Sequence, residues 1–306
     1  MALNTTLNAS QTGKASVLEV SDEFKCSSPL DKVVLSCFSM AFLVNMAHLF
    51  IIMRIKILKG LAYRHVLINI TLADILTCGS MAGFFTCFND LMPARAKGEP
   101  VKRIPLAIMI NMSNYISYYI FLAGSVEKYI AICKPFKYHS SVFIERLPTM
   151  FGLAWLFTFL LAIIRAITVV LSPSNFISNP MFQLGTLVII SLTTASITIY
   201  LLSKVYLEMR RMQNRSTATE QEDEARKSAA YFIIIFIVFM LTWLTHVISV
   251  VLIHVSGNYS PIKLQYILFK SPYAVVNSII YGWRTKPYRQ YIKKLIGCKQ
   301  SRVDFA

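Results

Sequence analysis

Three ionisable side chains stand inside long apolar stretches of this sequence: Asp74, Arg165 and Lys270. A charge in such a setting is costly and normally faces protein rather than lipid, so each is a candidate for binding, relay or charge pairing. Asn111, Asn114, Tyr115 and Tyr118 recur at i, i+3, i+4 and i+7, which places them in one stripe on a helix. His246 follows Trp243 by one helical turn. Asn111, Asn114, Tyr115, His246, Lys270 and Arg165 therefore make a candidate pocket of basic character. It suits an acidic or polar-neutral small molecule, because a basic group in low dielectric gains most from an anion. The plainer alternative is that Lys270 and Arg165 snorkel or bond to nearby carbonyls, and for Arg165 it is favoured. Catalysis is not expected. The five histidines (His48, His65, His139, His246, His254) are scattered, whereas a metal site needs clustered ligands. No inverted repeat of the transporter kind is evident.

The elements that must hold these residues follow from charge and hydropathy. Of 306 residues 55% are hydrophobic, and the mean hydropathy is +0.54. Crossing ~30 Å of hydrocarbon takes about 20 helical residues. Residues 33–53, 104–126 and 228–253 carry no formal charge, 66–89 only Asp74, and 264–283 only Lys270. The stretch 147–203 carries only Arg165, and the turn signals at 172–175 and 179–180 split it in two. Seven spans result. They must be helical, since a lipid-exposed backbone has to satisfy its own hydrogen bonds. The expected fold is an all-α membrane protein: a seven-transmembrane helix bundle over 31–283, an extracellular tail over 1–30, and a cytoplasmic segment over 284–306. In that last segment Tyr288, Tyr291, Ile292, Leu295 and Ile296 oppose Arg289, Lys293 and Lys294, the pattern of a short amphipathic helix on the membrane surface.

A net charge of +16 invites a nucleic-acid reading, but the placement of charge excludes it. With the N-terminus outside, 21 of the 31 basic residues fall on the cytoplasmic side, the positive-inside bias. No cleavable signal peptide is expected, since residues 1–30 lack an apolar core. Asn4, Asn8 and Asn258 begin glycosylation sequons on the outer face. Cys26 and Cys87 both face an oxidising compartment, where a disulfide between them would staple tail to bundle. Cys298 follows the last helix and is a candidate for S-acylation.

Four patterns together resemble the rhodopsin-like (class A) G-protein-coupled receptor family. Leu67-Ile-Asn-Ile-Thr-Leu-Ala-Asp74 resembles its second-helix motif. Ser125-Val-Glu-Lys-Tyr-Ile-Ala-Ile-Cys-Lys-Pro135 resembles the Asp/Glu-Arg-Tyr motif of helix three. Asn277-Ser-Ile-Ile-Tyr281 resembles Asn-Pro-x-x-Tyr of helix seven, with a surface helix after it. Asn45 and Trp155 fall where helices one and four carry marker residues. The phrases around Tyr129 to Lys137 and Ile279 to Lys286 are most similar to odorant-type receptors, particularly those of fish. The resemblance implies a plasma-membrane receptor whose partners are an extracellular small molecule, a heterotrimeric G protein and the lipid bilayer. It implies roles in activation and coupling for Asp74, Ser117, Glu127, Lys128, Tyr129, Trp243, Asn277 and Tyr281. Asp74, Ser117 and Asn277 would line a polar pocket able to hold a sodium ion and water; a hydrogen-bonded interhelical contact is the alternative. No cofactor is expected. Lys270 lies one residue from the opsin Schiff-base position with no carboxylate counter-ion, which argues against retinal.

The sequence also departs from the family pattern. Lys128 replaces the motif arginine and cannot make its bidentate contacts. Thr242-Trp-Leu-Thr245 lacks the proline that usually kinks helix six, and helix five lacks its proline too. Arg103 stands where a cysteine is usual, so the common outer disulfide cannot form. The competing expectation is thus a seven-helix ligand-binding membrane protein that does not couple to a G protein in the usual way.

Overall fold

Helix α1 (Pro29–Arg54) shows how the bundle is put together. Its buried residues are Asp31, Val34, Phe38, Ala41, Asn45, His48 and Ile52, spaced alternately three and four apart, so a single stripe faces the other helices. The opposite face exposes Met40, Leu43, Met46 and Phe50. α4 repeats the pattern, with Leu153, Leu156, Phe157, Phe159, Leu160 and Ile164 all exposed. Apolar surface on this scale has no stable place in water and needs lipid around it.

The chain is described by a computed structural model covering residues 29–55, 62–96, 104–138, 140–171, 180–213, 220–256, 260–284 and 286–295. Within these, the side chains of 62–63, 86–96, 168–171, 180–184, 187, 220–222, 224, 250, 253–256, 260–262, 281–284, 286–287 and 295 are outside the description. Every regular element among the described residues is helical. After α1 come α2 (Ala62–Ala96), α3 (Ile104–Cys133), α4 (Leu147–Leu171), α5 (Pro180–Gln213) and α6 (Glu220–Ser256). A short 3-10 turn (Pro135–Lys137) and one helical turn (Val142–Glu145) join α3 to α4. α7 runs as Ser260–Gln265, a π-helical turn Tyr266–Lys270, and Ser271–Arg284; α8 is Lys286–Leu295. Among the described residues six helices, α1 to α6, are long and apolar enough to cross a membrane. α6 is one unbroken helix of 37 residues, as the missing proline leads one to expect.

α3 is the hub, with Tyr115, Ile116, Tyr118, Ile120, Phe121, Gly124, Ser125, Glu127 and Lys128 all buried around its circumference. Its C-terminal half is packed by aromatic rings: Phe121 lies 4.6 Å from Phe239 in a stacked pair and 5.7 Å from both Phe232 and Phe236. Gly124 makes this packing possible, because a Cβ there would stand 2.6 Å from the Phe232 ring. Polar side chains tie the helices where lipid cannot help. Asn45 of α1 donates to the Ala274 carbonyl of α7 at 3.1 Å and accepts from Ser278 at 2.8 Å. The Trp155 indole of α4 donates to Asn69 of α2 at 2.8 Å. Lys263 of α7 pairs with Asp31 of α1 at 2.7 Å, and His48 meets the Tyr288 hydroxyl of α8 at 2.8 Å.

Candidate functional site

α2, α3, α6 and α7 enclose a cavity of about 60 Å³. At one end Asp74 lines it, 4% exposed, with Oδ2 accepting from the Asn277 amide of α7 at 2.9 Å. At the other end Lys270 donates to the Asn114 amide oxygen of α3 at 3.5 Å, and its ammonium lies 5.4 Å from the centre of the Tyr266 ring. Ser113, Ser117, Thr242, Trp243 and His246 line the space between and around them. His246 is stacked against Tyr266 at 6.2 Å. Apolar walls with a few converging polar groups have the character of a small-molecule site, though the cavity is smaller than the several hundred Å³ such sites usually have.

The π-turn decides which α7 side chains reach this cavity. An i→i+5 turn brings residues five apart closer to one face than an α-helix would. Both Gln265 and Lys270 line the cavity, one on each side of the turn. Gln265 donates to the Thr242 carbonyl of α6 at 3.4 Å. That carbonyl can only accept, so the amide nitrogen must face it and the amide oxygen is left without a hydrogen bond. Gln265, Thr77, Ser113 and Tyr273 were not expected in the site from sequence; regular helical spacing puts Gln265 on a different face from Lys270.

Of the six expected pocket residues, Asn114, His246 and Lys270 come together here. Asn111, Tyr115 and Arg165 do not line this cavity. Asn111 bonds back to the Ala107 carbonyl of its own helix at 2.8 Å. Arg165 of α4 lays its guanidinium over the buried Tyr115 ring, 5.4 Å from its centre. Among the residues expected in activation, Asp74, Ser117 and Trp243 line the cavity, and Asn277 holds Asp74.

A second charged centre lies at the far end of α3. Glu127 and Lys128 are each 2% exposed and pair with one another at 2.8 Å. The other carboxylate oxygen of Glu127 accepts from the Tyr138 hydroxyl, in the loop after α3, at 3.0 Å. Burial, together with the Glu127 carboxylate, pushes the Tyr138 phenol well above its ordinary range, so it stays a donor. Tyr129 packs with Ile132, Val205 and Met209, and Lys134 lies over its ring at 5.4 Å.

The sequence profile of the 7 transmembrane receptor (rhodopsin family) matches residues 44–281, from α1 into α7. The chain belongs to this receptor family. No curated protein matches it. The receptor is a multi-pass membrane protein, and the matched stretch takes in Asp74, Glu127 to Tyr129, Trp243 and Asn277. Its family is one of receptors rather than enzymes. Cys26, Cys298, Asn4, Asn8 and Asn258 lie outside the described residues, as do the side chains of Cys87 and Tyr281.

Proposed function

We propose that this receptor senses an extracellular small molecule of acidic or polar-neutral character, of the chemosensory, odorant type, and signals through a heterotrimeric G protein. The observation that carries the proposal is the cavity that joins Lys270, Asn114 and His246 to Trp243 and Asp74. A ligand anion at Lys270 would touch the elements of α3, α6 and α7 whose rearrangement a two-state receptor requires. Arg165, Asn111 and Tyr115 then act behind the pocket, fixing α3 against α4. The Asp74–Asn277 bond favours an interhelical contact over a sodium site at Asp74.

In this proposal α7 is the seventh span and α8 lies on the inner leaflet. Tyr288 is buried and Arg289, Lys293 and Lys294 are exposed, which supports the latter. The N-terminal tail is extracellular at the plasma membrane, glycosylated at Asn4, Asn8 and Asn258, with Cys26 and Cys87 joined and Cys298 acylated. The Glu127–Lys128 edge is cytoplasmic and meets the G protein.

Lys128 supports a second proposal. It is buried and paired to its own sequence neighbour, which a guanidinium poised for a partner need not be. A small-molecule screen in cells carrying a promiscuous G protein separates the two. An agonist that signals in wild type carries the first proposal. A ligand that binds but stays silent in both wild type and Lys128→Arg moves the chain to the second.

A further inference from the structure

One carboxylate and one ammonium line a single cavity, and neither is neutralised by contact. Among the described residues, no ion pair within 4 Å involves Asp74 or Lys270. The protein offers Asp74 an amide from Asn277, and offers Lys270 an amide oxygen and a ring face. These partners solvate a charge without balancing it. Lys270 and Asn277 are seven residues apart on α7, roughly 10 Å along the axis at 1.5 Å per residue. That separation comes without an ion pair between Lys270 and the carboxylate Asn277 holds. It is well within electrostatic reach in low dielectric. Thr77, Ser117 and Tyr273 line the same space. A cavity of about 60 Å³ has room for a few waters, and its converging polar groups are partners to hold them.

We propose that Lys270 is the resident counter-cation of Asp74, linked to it through water in the shared cavity, so that the site needs no bound monovalent ion. This deepens the ligand-site proposal above. If an anionic ligand takes the Lys270 ammonium, the Asp74 carboxylate loses its balancing charge, and occupancy at one end of the cavity is felt at the other.

The test uses the full chain purified in lipid nanodiscs and needs no ligand. Thermal melting is compared in matched sodium, potassium and choline chloride. Wild type melts at the same temperature in all three. Lys270→Met, and Lys270→Gln as a second variant, leave Asp74 without its cation. Each gains a sodium-specific rise of about 2 °C or more. Adding Asp74→Asn removes that gain, and the doubly substituted chain is less destabilised than the two single effects summed. A sodium-specific rise in wild type overturns the proposal, and wild type alone suffices for that reading if the variants do not fold. Lysine variants without a sodium response, or an additive cycle, overturn it equally. No signalling enters the readout, so failure here leaves the receptor proposal standing, and a failed agonist screen leaves this one standing.

Discussion

The acid–lysine combinations Glu127–Lys128 and Asp74–Lys270 are built in opposite ways. At the end of α3, Glu127 and Lys128 are adjacent in sequence, touch at 2.8 Å, and have Tyr138 on the remaining carboxylate oxygen. Toward the other end, Asp74 and Lys270 come from different helices, and a cavity lies between them. The first arrangement closes locally and can hold a state; any partner that engages it must first break a formed pair. The second leaves polar groups turned to a cavity, so a small molecule or a change of charge can act on it. Phe121 of α3, with the rings of Phe232, Phe236 and Phe239, packs between the two along that helix.

If the closed end is closed by its charges, removing one should cost most. Glu127→Gln leaves Lys128 without its acid and is expected to lower stability by about 3 kcal/mol. Melting of the purified chain measures this, and a loss below a third of that amount would mean the pair is solvated rather than sealed. Next comes the packing that separates the centres. Gly124→Ala drives a methyl into the Phe232 ring and should cost about 2 kcal/mol, while Gly152→Ala, with nothing within 4 Å of the added Cβ, should cost none of that clash penalty. The pair of melting curves reads the contrast directly. Tyr138→Phe removes one hydrogen bond to the Glu127 carboxylate, worth about 1–2 kcal/mol, and should raise ligand-free signalling in a cell assay. Unchanged basal signalling would detach Tyr138 from the closed centre. The smallest effect belongs to the open end: Asn114→Ala should shift stability by less than about 1 kcal/mol, because water can replace a 3.5 Å contact.

Much of this was legible in the sequence, and the gaps have physical causes. Seven spans were expected from stretches carrying at most one charge, and among the described residues six helices are long and apolar enough to cross a membrane; the grouping of Asn114, His246 and Lys270 was expected from helical spacing and depth. The Asn111 to Tyr118 stripe was real, yet periodicity states which residues share a face, not which helix that face meets. α3 is buried around its circumference, so the stripe divides between the cavity and α4, where Arg165 covers Tyr115. Gln265 was invisible because the π-turn breaks the α-helical register on which the spacing argument relies. His48 and Tyr288 are 240 positions apart, and no local pattern marks them as partners.

The central claim is that the open cavity receives an acidic ligand at Lys270. It is tested most directly by dose–response curves for a carboxylate agonist on wild type and Lys270→Ala at matched surface levels. The account expects potency to fall at least about ten-fold, the cost of losing one charge-assisted contact. A carboxylate agonist equally potent on both chains would contradict it.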